Sequence, residues 1–182
     1  DLERMHALGV RGVRINVLFG GGIGFAAMER LAAKIQPLGW HMQFLMDAAQ
    51  IPELMPRLEK LPVIGVVDHM GHTPVSSGLD GPAMQGLLHL MQNNGWWVKL
   101  SGAYRIGQDF PGFHDVDPWA RKLYQAGPTQ CVWGSDWPHV SLTRMPDTGA
   151  LRNQLPLWLP TQADLEQVLV LNPQKLYGFA AL

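Results

Sequence analysis

Val132-Trp133-Gly134-Ser135-Asp136-Trp137-Pro138-His139 is the stretch on which the reading of this chain turns. The apolar run 131–133 leads into it and reads as a short buried strand. Gly134 lets the backbone turn tightly out of that strand, and Pro138 ends the extended segment. Asp136 therefore stands at or just past a strand's C-terminal edge. In α/β proteins with parallel strands, that edge carries the chemistry. A lone aspartate after a strand also serves as a loop or helix cap. The choice depends on whether other strands deliver polar residues to the same edge.

Working outward, four more strands are expected, at 10–18, 41–46, 63–67 and 97–101. The run Val63-Ile64-Gly65-Val66-Val67 is nearly all apolar, as in a strand covered on both faces. In the first strand Val13, Ile15 and Val17 alternate with Arg14 and Asn16, placing the polar pair on one face and the valines and isoleucine toward helices. Helices are expected over 26–38, 52–61, 82–94, 118–126, 162–171 and 173–179, with the end of another at 2–9. Strands alternating with helices at spacings of about 20–30 residues predict βα repetition around a parallel sheet. The expected class is α/β, a (β/α)8 barrel type with an open doubly wound sheet as the other fit, in a single domain over 1–182. Gly20-Gly21-Gly22-Ile23-Gly24 lacks the dinucleotide spacing, since Phe25 stands where a glycine would, and lacks the Lys-Ser/Thr of a P-loop; it reads as a βα loop.

Composition narrows the function classes. The 182 residues are 47% hydrophobic and 16% charged with a net charge of −1, an ordinary globular balance. Lysines and arginines form no stripe, which argues against nucleic acid. No apolar run has membrane-spanning length, and no signal-peptide pattern opens the chain. Cys131 is the single cysteine, so no disulfide forms within the chain, and a cytoplasmic location is expected.

The strand ends gather Arg14, Asn16, Asp47, Asp68, His69, Lys99, Ser101 and Asp136, with His72, Tyr104, Arg105 and His139 just beyond. Together they offer a carboxylate for general-base work, an imidazole to polarise a carbonyl, and guanidinium groups for an anionic substrate. Plainer roles stand beside these. Asp68 fits an Asx-turn cap, Lys99 needs a carboxylate partner, and His139 fits against Trp137. His69 and His72 have metal-ligand spacing but no evident third ligand.

Three motifs, in this order and at these spacings, carry a resemblance: Val67-Asp68-His69-Met70-Gly71, Val98-Lys99-Leu100-Ser101-Gly102-Ala103-Tyr104-Arg105, and Trp133-Gly134-Ser135-Asp136-Trp137-Pro138-His139. With the terminal Asn172-Pro173-Gln174-Lys175-Leu176-Tyr177-Gly178-Phe179, they resemble the amidohydrolase superfamily, in its 2-pyrone-4,6-dicarboxylate lactonase branch. The resemblance implies a (β/α)8 barrel of which these are the last five βα units, and hydrolysis of a lactone or related ester of a carboxylated small molecule. It implies Asp136 as base toward water, His69 as the residue polarising the carbonyl, and Arg14 and Arg105 on substrate carboxylates, with Tyr104, Ser101 and His139 as further substrate contacts. The His-x-His that the branch carries on its first strand does not occur in this sequence, and Leu45 and Met46 stand where the branch places a tyrosine. The lactonases imply no cofactor. Other branches of the superfamily imply one divalent metal, zinc or manganese, which Asp136 and His69 would hold. The alternatives that stay open are a metal-dependent hydrolase or decarboxylase of the superfamily, and a non-catalytic fragment whose missing strands come from a partner.

Overall fold

A computed structural model describes residues 1–19 and 22–180; Gly20 and Gly21, in the glycine-rich loop, lie outside the described residues. The chain opens on helix α1 (Leu2–Ala7) and enters strand β1 (Gly12–Asn16). There follow α2 (Met28–Ile35), β2 (His41–Leu45), α3 (Ile51–Leu58), β3 (Gly65–Val67), α4 (Pro82–Asn94) and β4 (Trp97–Leu100). The short α5 (Ala103–Ile106) and α6 (Asp117–Ala126) precede β5 (Cys131–Trp133). After it come α7 (Thr148–Asn153), α8 (Leu155–Trp158), α9 (Gln162–Glu166) and α10 (Asn172–Tyr177), the last two joined by a π turn over Gln167–Leu171.

All five strands pair in parallel, in the order β1-β2-β3-β4-β5. Sequential order with every connection made through a helix is the βα repetition expected, and it is part of a (β/α)8 barrel. β1 and β5 do not pair with each other among the described residues. The strands are shorter than the sequence suggests. Expected residues 10–18 shrink to Gly12–Asn16, and 63–67 to Gly65–Val67. Helix α4 keeps its expected limits, because Pro82 supplies its first turn and Gly95 adopts a left-handed C-cap (φ 66°).

The two faces of the sheet divide the labour. Ile15, Met42, Phe44, Val67, Val98, Leu100 and Cys131 point into the main core beneath the helices, all almost fully buried. The other face carries a small apolar cluster of Val66, Trp97 and Val132, against which Leu176 of α10 packs. Above that cluster, toward the strand ends, the same face turns polar. Consecutive helices pack on one another (α3 on α4, α4 on α6, α6 on α8), as βα units do when each helix returns beside the last.

The backbone leaves β3 in an unusual way. His69, Met70, Gly71 and His72 all have positive φ (49°, 53°, 90° and 51°), one left-handed turn of chain. Left-handed helical geometry costs about 1–2 kcal/mol per non-glycine residue. The turn is anchored by Met70, which lies in the core and whose carbonyl accepts from Trp119 Nε1 at 3.1 Å, and by Thr73, whose hydroxyl donates to Asp47 Oδ1 at 2.5 Å and lies 3.2 Å from the Gly71 carbonyl. Gly71 is the position with no room. A Cβ there would stand 2.6 Å from Ala48 Cβ and 3.0 Å from Leu87 Cδ1, at a φ side chains avoid. Gly71→Ala is expected to destabilise the fold by about 2–3 kcal/mol, read as a lower urea midpoint at unchanged m-value.

Candidate active site

Five strands deliver their polar residues to one end of the sheet. A cleft of about 340 Å³ there is lined by Arg14, Asp68, His69, Lys99, Ser101, the 133–137 segment and Tyr177. Arg14, expected from sequence to face this end, does so with half of its side chain exposed.

Asp68 lies at the floor, with no solvent exposure. Gln43 Nε2 donates to its Oδ2 at 2.9 Å, Lys99 Nζ stands 3.0 Å from Oδ1, and Arg14 Nη1 is 3.5 Å from Oδ2. The Asx-turn reading of Asp68 is thus corrected. The carboxylate is the hub of a cross-strand ion cluster, and Lys99 finds in it the partner its inward direction demands.

His69 is 5% exposed, and its Nδ1 lies 2.9 Å from Ser101 Oγ. Ser101 is therefore tied to the imidazole. The other ring nitrogen, Nε2, faces Asp136 Oδ1 at 3.6 Å, too long for a direct hydrogen bond and close enough that one oxygen atom beside the pair can reach both. Burial pushes His69 down to about 4, so at neutral pH the ring is uncharged. The Asp136 carboxylate only accepts, which favours hydrogen on Nε2 facing it and makes the Ser101 hydroxyl the donor to Nδ1.

Asp136 sits in the left-handed region (φ 60°), which aspartate tolerates better than most residues, and its carbonyl closes a turn by accepting from the His139 amide at 2.9 Å. Its two oxygens are unequal. Oδ2 accepts from Tyr104 Oη at 2.6 Å and from Arg105 Nε at 2.5 Å, whereas Oδ1 faces His69 and the cleft. Burial opposes ionisation of Asp136, but the Tyr104 hydrogen bond and the neighbouring His69 and Arg105 outweigh it and hold the carboxyl below its usual range. Burial, and then Asp136 itself, push the Tyr104 phenol up, so that it keeps its proton.

Three expected substrate contacts, Tyr104, Arg105 and His139, stand outside the cleft lining, and the Tyr104 hydroxyl is spent on Asp136. Arg105 has a side chain only 6% exposed and spends its guanidinium on Asp136 and, at 3.4 Å, on the Val140 carbonyl. His139 is 3% exposed, outside the cleft lining, and packs edge-on against Tyr104, while Trp137 points to solvent. The expectation that His139 rests on Trp137 is corrected. Its hydrogen-bond partners are Tyr104 and Thr148. Sequence reasoning missed Tyr177, which reaches the cleft from the last helix with its ring edge-on to His41, and Thr148; neither carries a local signal, because each meets the site only through the fold.

Among the described residues, His69 and Asp136 are the donors this chain could offer a zinc or manganese ion in the cleft, short of a full ligand set. Among the described residues no three His, Cys, Asp or Glu side chains converge, and His69 and His72 turn their rings toward each other at 6.0 Å without a third ligand. A cation between His69 and Asp136 would find two donors where catalytic zinc uses three, and a guanidinium already on the same carboxylate. No step is derived through a metal.

Residues 1–179 match the family described as Amidohydrolase. The chain belongs to that family. It is 35% identical to a 2-pyrone-4,6-dicarboxylate hydrolase of Comamonas testosteroni over 97% of the chain, and 34% identical over its full length to a 4-sulfomuconolactone hydrolase of Hydrogenophaga intermedia. It spans 62% of the length of each of these relatives. A crystal structure of an Agrobacterium tumefaciens protein in its apo form superposes on the whole chain with a TM-score of 0.91 at 30% identity, and the chain covers 66% of it. No helix among the described residues is long and apolar enough to cross a membrane.

Burial makes a pH prediction. His69 and His41, both at most 6% exposed, are pushed from 6.5 to about 4 in the folded chain. The unfolded chain takes up protons that the folded chain refuses, so stability present above about pH 6.5 is lost as the pH falls toward 4, by on the order of 2–3 kcal/mol per histidine. Urea unfolding between pH 7.5 and about 4.5 is expected to show this slope, and His41→Gln to remove roughly half of it. An unchanged slope in that variant would refute the assignment.

Proposed function

We propose that this chain carries the general base and the anion-binding wall of a hydrolase acting on a lactone that bears an acidic group. The observation that carries the reading is the asymmetry of Asp136, one oxygen locked by Tyr104 and Arg105 and the other left facing a neutral histidine across an open cleft. The two curated relatives are named for a pyrone dicarboxylate and a sulfomuconolactone, both cyclic esters with anionic substituents, which supports the substrate class.

In this reading, a water at Oδ1 loses a proton to Asp136 as its oxygen bonds to the lactone carbonyl carbon. His69 Nε2–H hydrogen-bonds the carbonyl oxygen, where negative charge gathers. The ring C–O bond then breaks, and the proton held by Asp136 passes to the leaving oxygen. The products are a hydroxyl and a carboxylic acid on one opened chain, and the acid gives its proton to solvent to become a carboxylate. Arg14, the most exposed cation of the cleft, receives the substrate's acidic group, and Arg105 holds the base rather than the substrate. The activity is assigned to a polypeptide in which the open edges of β1 and β5 are also paired, since the chain spans 62% of its relatives.

Asp136→Asn in that polypeptide is expected to lower kcat by roughly 10²–10⁴-fold while leaving the thermal midpoint nearly unchanged, because an amide keeps the shape but takes no proton from water. Arg14→Met is expected chiefly to raise KM for lactones carrying a carboxylate or sulfonate and to leave neutral lactones alone. Kinetics of both variants on paired charged and neutral lactones decide the matter; a silent Asp136→Asn would reduce Asp136 to a loop cap.

A further inference from the structure

The side of Asp136 turned away from the cleft is held by a run of hydrogen bonds that the reaction above does not consume. Tyr104 Oη is 2.6 Å from Asp136 Oδ2 and 3.0 Å from His139 Nδ1, and His139 Nε2 is 2.8 Å from Thr148 Oγ1. His139 is buried, with its ring 5.4 Å from that of Tyr104 at an interplanar angle of 82°; Thr148, the first residue of α7, is exposed. The run thus begins at the protein surface and ends on the carboxylate.

Hydrogen counting gives it a direction. An ionised carboxylate only accepts, so the single hydroxyl hydrogen of Tyr104 goes to Asp136. The contact between Tyr104 Oη and His139 Nδ1 is then donated by the imidazole. A neutral imidazole has one N–H, which leaves Nε2 as an acceptor for the Thr148 hydroxyl. We propose that the Asp136 carboxylate sets the polarity of this run through Tyr104, and that His139, with its hydrogen on Nδ1, is a positioning residue that backs Tyr104, keeps the Tyr104 hydrogen committed to Asp136 Oδ2 and leaves Oδ1 as the basic oxygen. The proposal rests on the reading of Asp136 as general base. His139 thereby acts on the reaction from behind Tyr104 and touches no substrate.

Without the Tyr104 hydroxyl, nothing in the run holds the hydrogen on Nδ1. The imidazole is then free to carry it on Nε2 and to donate to Thr148, whose hydroxyl accepts as readily as it donates. Thr148→Val, by contrast, leaves the Tyr104 acceptor in place and the helix cap intact, since that cap is the Asp147 carboxylate accepting from the Ala150 amide.

The tautomer of His139 is read from long-range nitrogen–proton correlations on the chain labelled with ¹⁵N-histidine at pH 7.5. The native chain is expected to show hydrogen on Nδ1 and a bare Nε2, Tyr104→Phe to release the ring toward the Nε2–H form, and Thr148→Val to leave the hydrogen on Nδ1. A native ring with hydrogen on Nε2 or on both nitrogens, a tautomer unmoved in Tyr104→Phe, or one moved in Thr148→Val overturns the proposal. In the active polypeptide, His139→Leu is expected to lower kcat about three- to tenfold at unchanged KM, with His139→Asn, which keeps a donor to Tyr104, recovering it; unchanged kcat in His139→Leu overturns the positioning role. The tautomer is read without turnover, so absence of lactone hydrolysis in every form counts against the general-base reading and leaves the polarity of the run standing.

Discussion

A carboxylate with no access to water fixes the geometry of the site end of this sheet. Asp68 follows directly on β3, and its partners come from β1 (Arg14), β2 (Gln43) and β4 (Lys99). Side chains alternate between the faces of a strand, so a one-residue slip of any of these three would send its partner under the helices. The carboxylate would then lose a compensating charge or donor, at a cost of several kcal/mol for a buried ion. Apolar packing alone specifies the register loosely, because the core-facing residues are largely interchangeable aliphatics. One buried charge makes four strands agree, and it does so at the level where the chemistry is gathered.

His69 depends on that agreement. It is the next residue after Asp68, and the left-handed turn it begins rotates the imidazole into the cleft with Nδ1 on Ser101 of the neighbouring strand segment. Ordinary extended backbone would carry the following side chain to the opposite face. The strain of three non-glycine residues in left-handed geometry is on the order of 3–6 kcal/mol, and it persists because the core burial of Met70 and the Trp119 hydrogen bond hold it. Asp136, His139 and Ser141 repeat the pattern on the other side of the cleft, all with positive φ. Both halves of the site are therefore set by backbone that helices and strands would not adopt.

Periodicity and punctuation made the sheet legible. The alternation at 13–17, the apolar 63–67 run and the Gly95 and Pro82 limits of α4 are local signals, and the parallel order follows from their spacing. The short helices α5, α7 and α8 escaped because proline and glycine dominate their surroundings. Yet Leu151, Leu155 and Trp158 recur at helical spacing behind the capping Asp147, a pattern open to a finer reading. Asp136 and His69 were legible as strand-end residues. The direction of Arg105 and the burial of His139 were not, since both follow from the left-handed turn at Asp136, and aspartate announces such a turn far less clearly than glycine does.

The division of labour among the cations follows from the same geometry. Arg105 and Asp136 form one pair, neutral as a unit, with the guanidinium almost closed to solvent. Arg14 and Lys99 share the single carboxylate of Asp68, so the opposite wall of the cleft keeps one positive charge in excess. The exposed member is Arg14, whose planar fork at 3.5 Å from Asp68 is engaged at one nitrogen and leaves its other donors toward the opening. In the proposed reading, an anionic substrate is drawn to that wall, and its acidic group on Arg14 sets the distance from the wall to its reacting carbonyl. Asp136, the proposed base, stands across the cleft, its free oxygen turned inward by the two donors on the other. An anion bound instead at Arg105 would have to displace Asp136, and the site would lose its base in binding its substrate. On that reading, recognition on β1 and catalysis at the end of β5 avoid the competition.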